Sequence, residues 1–400
     1  MRFKDQPYQR IMQVVFLMMI LLSAYPLLAI SNIKLSGTMP AFGDVTRFQI
    51  SLNGRYAVYL ADQNTDEVDE LYSVLLDGGT PIRLNSPLPT GMEVFRFEIS
   101  PDSRRVVYQA QQGIQGVSEF YSVPIGGPAA SGIKLNPILM AGGGIGTFQI
   151  SPDSNRVVYR ASQDTPYVQE LYSVPILGPA ASGIKLNGPL VADGYVFDFQ
   201  ISPDSNRVVY QADQETNDVY ELYSVPIGGP AASGIKLNPA LVASWDIVGF
   251  QFSPDSRRVV YRAGWQSCSE YSCTLFYELY SVPIVGPAAS GIKLNTALVE
   301  DIFGEYDSSY KISPDSRRVV YHTDQDTNNV YELYSVPIGG PAASGIKING
   351  PLVAGGNVGM FFQISPDSRR VVYRADQDID NVYELYMTSI YLLHLPLILK

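Results

Sequence analysis

The chain is short of the residues that most enzymes of its size use for chemistry. Among 400 residues there are two histidines, two cysteines and two tryptophans. Two cysteines cannot build a disulfide scaffold. The two histidines, His322 and His394, cannot furnish a multi-histidine metal centre, and neither assembles with a serine and an aspartate into a recognisable triad. There is no G-x-S-x-G elbow, no H-E-x-x-H and no phosphate-binding glycine loop. Charged residues are only 17% of the chain and their balance is acidic, with a net charge of −11. A nucleic-acid-binding face needs the opposite sign. Long apolar runs are also scarce: a single one, at the N-terminus, excludes a multi-span helical membrane protein. What is abundant is apolar, aromatic and turn-forming. Hydrophobic residues reach 46%, with 27 tyrosines, 34 glycines and 28 prolines. A disordered polymer would have few aromatics and more charge.

The N-terminal run reads as an address. Arg2, Lys4 and Arg10 precede an apolar stretch from Ile11 to Ile30, and Ala29-Ile30-Ser31 offers a small-residue cleavage site. The expectation is a signal peptide or N-terminal membrane anchor over residues 1–31, so that the remainder is exported to a periplasmic, cell-surface or extracellular location. Pro26, Ser23 and Gln13 weaken the anchor reading.

The rest of the chain is periodic. A Ser-Pro-Asp-Ser turn begins at Ser100, Ser151, Ser202, Ser253, Ser313 and Ser365, preceded by a degenerate copy at Ser51-Leu52-Asn53-Gly54. The spacing is 49 to 52 residues, except for one interval of 60. Each unit carries short apolar segments of the types FQIS, RVVYRA, ELYSVPI and IKLN, bounded by Gly, Pro, Asn and Asp. Proline presets φ in the Ser-Pro-Asp-Ser turn, and the Ser and Asp side chains can bond nearby amides. Four short strands per unit of about 50 residues, seven times over, predict an all-β fold: a β-propeller of seven four-stranded blades, with six as the alternative. The propeller is expected over 32–390, followed by a short apolar tail at 391–400. Ile33-Lys34-Leu35-Ser36 copies a fourth strand with no blade before it, whereas the last unit has none after it. The N-terminal strand is therefore expected to close the last blade, the tail being the rival candidate for that slot.

These units, SPDxxRVVY followed by ELYSVPI and a glycine-rich turn, resemble the PD40 (WD40-like, TolB-type) β-propeller repeats over roughly residues 33–390. The resemblance implies the propeller fold. It does not imply one activity, since such propellers serve as scaffolds, receptors and appendages of peptidases. The chain departs from the family pattern in having Ser where the turn usually has Gly, in its seven units against the six blades of TolB, and in lacking an attached α/β or hydrolase domain.

Two faces follow from the blade order. One carries the monotonous SPDS and GGPAASG turns. The other carries the strand 2–3 hairpins and the blade-to-blade loops, which vary and are therefore the expected functional face. Three features stand out there. Asp376, Asp378 and Asp380 have an alternating spacing that could converge on Ca²⁺, although Asp and Asn also favour plain hairpin turns. The insertion at 264–276 holds Cys268 and Cys273, expected to form a local disulfide in an exported protein. Trp245, Asp246, Trp265 and Tyr271 fall on one blade, as a recognition patch would. The expected function is non-catalytic: an exported scaffold binding a protein or glycan partner in the cell envelope, with no cofactor beyond that calcium, no nucleic acid, and membrane contact only through an uncleaved anchor. The alternatives are an envelope enzyme, glycan- or peptide-acting, using acids at the channel mouth, and a purely structural surface protein.

Overall fold

The computed structural model describes residues 32–391, apart from 89–90, 114–115, 140–142, 269–272, 297–298 and 302–309. The expected leader at 1–31 and nearly all of the 391–400 tail lie outside the described residues. Among those described there are seven antiparallel sheets in sequence order, each a meander, and no helix long and apolar enough to cross a membrane. The chain is a seven-bladed β-propeller. Blade 4 is representative, with strands Val196–Ile201, Arg207–Ala212, Glu221–Pro226 and Ile235–Lys236. The fourth strand is shorter than the IKLN segment suggests: only Ile and Lys pair, and Leu237 and Asn238 turn inward to burial.

The sequence motifs are explained by what they bond. Successive valines of RVVY point to opposite faces of a blade. Val208 packs with blade 3 residues such as Leu171 and Leu186, and Val209 packs forward against Phe250 and Tyr261 of blade 5. Both faces are core, so the strand is apolar throughout rather than alternating. The flanking polar residues stitch the blade. Arg207 Nε donates to Ser224 Oγ at 2.7 Å, Lys236 pairs with Glu221, and Tyr223 OH donates to Glu221 at 2.9 Å. Buried Asn238 accepts from Leu222 N at 2.7 Å and donates to Pro239 O.

The Ser-Pro-Asp-Ser turn does two jobs. Within blade 4, Ser202 Oγ donates to Asp204 Oδ1 at 2.6 Å, and Asp204 Oδ1 also accepts from Asn206 N at 3.1 Å. Between blades, Asp204 N donates to Ser256 Oγ of blade 5 at 3.0 Å. The last Ser of each turn sits at positive φ, 63° at Ser205, where glycine is ordinarily favoured. Its hydroxyl is the reason a serine is useful there. The same clasp joins blades 1–2, 2–3, 3–4, 5–6 and 6–7, at 2.9 to 3.1 Å.

The two ends of the ring differ from the middle. Blade 7 has three strands, Val358–Ile364, Arg370–Ala375 and Glu384–Ser389. Residues 33–36 form no strand and are not paired with it, yet they lie against blade 1 as a fourth strand lies against its next blade. Leu35 packs with Tyr59 and Ala61, and Gly37 N donates to Gln63 Oε1 at 2.7 Å. The corresponding bond between blades 3 and 4 runs from Gly188 N to Gln214 Oε1 at 3.0 Å.

Candidate functional site

The insertion in blade 5 is not the loop that its position suggests. It prolongs the central hairpin into strands Arg258–Cys268 and Cys273–Pro283, and Val299–Asp301 pairs onto the outer part. The ladder sets Trp265 opposite Phe276 and Cys268 opposite Cys273. That backbone register puts the two cysteines across from one another, as the expected pairing requires. Tyr271 lies outside the described residues.

Trp245 and Trp265 do meet. Their ring centroids are 5.7 Å apart with a 37° tilt, and Phe276 stacks on Trp265 at 4.9 Å. Both indoles are half-buried rather than fully exposed, and Trp245 packs against the core between blades 4 and 5. Asp246 follows directly. Its Oδ1 accepts from Tyr220 N at 2.8 Å, tying the entry of blade 5 to the hairpin of blade 4.

Asp246 also opens onto a cleft of about 660 Å³ between these blades, lined by Phe197, Asp198, Tyr220, Asp246 and Arg262 among others. Phe197 is 49% exposed on the first strand of blade 4. Tyr220 lies 5.3 Å from it, and Tyr195 caps Tyr220 edge-on at 5.7 Å with their hydroxyls hydrogen-bonded to each other. Arg262, nearly fully buried, extends beneath, between the rings of Tyr277 and Tyr310. Gly249 makes room for it: a Cβ there would lie 2.9 Å from the Arg262 Nη2.

Both carboxylates of the cleft are pushed above the usual range. For Asp198 desolvation in the concave wall is the main cause, outweighing the Phe199 amide and nearby Arg160, which favour the ion. For Asp246 desolvation again leads; the Tyr220 amide opposes it and Asp218 adds to it. Glu98, on the first strand of blade 2, is raised too, by burial that outweighs the Ile150 amide, Arg96 and Arg47.

The remaining predicted residues serve the turns. Asp376 gives one oxygen to Asn357 N and the other to Asn381 N at 3.0 Å, and is almost fully buried. Asp213 does the same for Tyr195 N and Asp218 N in blade 4. Asp378 accepts from Tyr386 OH at 3.2 Å. Asp376, Asp378 and Asp380 therefore do not converge, and no group of three or more potential ligands that could hold a metal is found among the described residues. His322 Nε2 contacts Val358 O of blade 7 at 2.8 Å, and burial lowers its pKa. Gln109, Arg160 and Gln211 reach the same carbonyl of their next blades, so the histidine fills a cross-blade linking position.

Phe197, Asp198, Tyr195 and Tyr220 are not marked by any motif. For Phe197, Asp198 and Tyr195 the signal is departure from the repeat. Phe197 stands where blades 1, 3 and 5 have Thr46, Gly146 and Val248, though blade 2 shares the ring as Phe95. Tyr220 is not such a departure: blades 1 to 3 have Asp69, Ser118 and Gln169 there, but blades 5 to 7 also have tyrosine, as Tyr277, Tyr331 and Tyr383.

No family model matches the chain, and no curated protein matches it. Solved structures do. It is similar to a dipeptidyl peptidase 4 of Porphyromonas gingivalis, with 9% identity and a TM-score of 0.53, covering 83% of this chain and 49% of that one. It is similar to an oligogalacturonate lyase in complex with manganese, with 12% identity and a TM-score of 0.44, over 88% and 91% of the two chains. It is also similar to TolB of Acinetobacter baumannii, with 15% identity and a TM-score of 0.34, over 72% and 62%. At such identities likeness speaks to fold alone, and these neighbours include enzymes and non-enzymes.

Proposed function

We propose that this chain is an exported, non-catalytic propeller that binds a glycan or protein partner in the cell envelope through the cleft between blades 4 and 5. The observation that carries the reading is the aromatic grouping: Phe197 and Tyr220 line the cleft with Tyr195 packed on Tyr220, and the stack of Trp245, Trp265 and Phe276 begins at the residue before Asp246. Aromatic faces beside a few placed polar groups are what recognition sites use. A sugar ring fits this chemistry best, with its apolar face on Phe197 and its hydroxyls toward Asp198, Asp246 and Gln200. The hydrogen-bonded meanders of blades 4 and 5 hold these groups still, which lowers the entropic cost of binding.

The test is calorimetric titration of the folded chain with neutral and acidic oligosaccharides and with soluble envelope proteins, beside a Trp245→Ala/Trp265→Ala variant, with and without calcium. Saturable binding that the variant loses supports the reading. Binding that the variant retains overturns the assigned site. Binding that needs calcium would return attention to residues 376–380.

One observation favours an enzyme as the second reading: Asp198 and Asp246 line the same cleft and both are raised, as a general acid must be. Release of cleavage products, abolished by Asp198→Asn or Asp246→Asn, would establish it. Neither binding nor turnover would favour the structural surface protein.

A further inference from the structure

The cations that recur inside each blade are committed to the fold, as Arg207 is to Ser224 and Lys236 to Glu221. Arginines on the inner wall of blades 1 to 3 are placed differently. The first strands line the axis of a propeller. One column of them reads Arg47, Arg96, Thr147, Asp198 and Gly249 from blade 1 to blade 5. Arg96 is fixed across the joint of blades 2 and 3. Its Nε donates to Gln109 Oε1 at 2.8 Å, its Nη2 to Gly146 O at 2.6 Å and its Nη1 to Thr147 Oγ1 at 3.4 Å. Arg47 is exposed and lies opposite Leu60, which offers no acceptor, where Arg96 lies opposite Gln109. Among the described residues the Arg47 side chain has no hydrogen bond and no ion pair.

These arginines lead into the cleft. Arg160, at the end of the second strand of blade 3, donates from Nη1 to Val196 O at 3.0 Å, and its charge stands beside Asp198. Arg96 has Arg160 on one side and Arg47 on the other: its pKa is lowered by burial and by these two neighbours, against the pull of Glu98. We propose that the cleft continues past Asp198 along the inner wall of blades 3, 2 and 1, and that Arg47 and Arg96 receive there a carboxylate of the bound saccharide, which makes the ligand an acidic oligosaccharide. The inference rests on the saccharide reading of the cleft and adds the ligand's charge to it.

The two ends of this path suit different sugars. In the cleft, Asp198 and Asp246 repel an acidic group and favour a neutral ring. On the wall, Arg47, Arg96 and Arg160 outnumber Glu98 and Asp198. Glu98 occupies the column in which Gln149 donates to Phe199 O and accepts from Ile201 N, and it bonds the Ile150 amide in the same manner, so it serves the joint of blades 2 and 3. Arg47 keeps its whole donor fork, and Arg96 keeps a spare N–H on each Nη. A carboxylate between them forms charge-assisted bonds that a neutral sugar cannot.

The test is calorimetric titration of the full chain with xylotriose bearing one glucuronic acid, and with the methyl ester of that acid, which is the same saccharide without its charge. The parent should bind the acid about tenfold more tightly than the ester. Arg47→Gln, which removes no side-chain bond of the fold, should lose that preference. The preference should also shrink as NaCl rises from about 0.05 M to about 0.5 M. Acid and ester bound equally by the parent would overturn the inference and leave the cleft reading standing. A preference that Arg47→Gln retains in full would put the acidic group elsewhere and overturn it too. If neither saccharide binds, the saccharide reading of the cleft fails and the inference falls with it.

Discussion

Three turn aspartates and two cleft aspartates titrate in opposite senses. In the Ser-Pro-Asp-Ser turns, Asp153, Asp204 and Asp315 are held below the usual carboxylate range: burial pushes them up, but hydrogen bonds from the turn serine and backbone amides outweigh it. In the cleft between blades 4 and 5, Asp198 and Asp246 are shifted up, because desolvation there is not matched by donors. The turn aspartates have their oxygens committed to the fold. Of the cleft aspartates, Asp246 commits one oxygen to Tyr220 N, while Asp198 lies open to solvent on one side. Residues repeated in nearly every blade build the propeller; Asp198, which breaks the repeat, is left with chemistry to offer.

The most damaging way to probe that contrast is from the turn side. Asp204→Ala strands the Ser202 hydroxyl and the Asn206 amide, and urea unfolding should show a loss of about 2 kcal/mol. Next is Ser205→Ala, which keeps the cost of positive φ while removing the clasp to Asp153 N, for a loss of about 1 kcal/mol. Ser205→Gly loses the same clasp but relieves the backbone, so it should cost less than the alanine variant. If glycine proves worse, the clasp is not what the serine is for.

Acid sharpens the contrast further, since the two groups have opposite linkage. A depressed folded-state pKa gives stability that is present above the unfolded value, about 4, and lost as pH falls through the folded one; this is the turn aspartates. A raised folded-state pKa gives stability that is present below about 4 and lost as pH rises through it; this is Asp198 and Asp246. Asp198→Asn/Asp246→Asn should therefore gain on the parent as pH rises from about 4 to about 7, by urea unfolding at both values. The asparagine at 246 can still accept from Tyr220 N, as Asn357 does from Tyr331 N at 2.9 Å. A variant that instead loses ground with rising pH would place these acids among the structural ones.

The fold is legible because the period is explicit and each turn has a local mechanism. Proline and the Ser-Asp bond make the Ser-Pro-Asp-Ser turn recognisable from four letters. The role of its last serine is not legible, because its partner lies in the previous blade. For Ser205 that partner is the Asp153 amide, 52 residues earlier in the chain and brought near only by stacking of the blades. The D-x-D-x-D run at 376–380 suggests converging ligands, but it forms a turn in which Asp376 turns back onto two backbone amides. The tryptophans stand out in the sequence because they are rare. Phe197 and Tyr220 do not, because phenylalanine and tyrosine are common here; a column-by-column reading of the repeats sets Phe197 apart, but not Tyr220, whose column is tyrosine in blades 5 to 7 as well. Tyr195 and Asp198 belong to the same class of departures.

The central claim is that the side chains gathered in the cleft between blades 4 and 5 bind the partner. The chain has two tryptophans, packed on each other in blade 5, and Trp245 directly precedes the cleft residue Asp246, so its intrinsic indole fluorescence reports on that blade. The most direct measurement is that fluorescence during titration with the oligosaccharide panel, on the parent and on a Phe197→Ala/Tyr220→Ala variant with both indoles intact. The account predicts a saturable spectral change in the parent and at least about a tenfold weaker midpoint in the variant. A ligand that binds by calorimetry without disturbing the indoles, and with equal affinity for the variant, would contradict it.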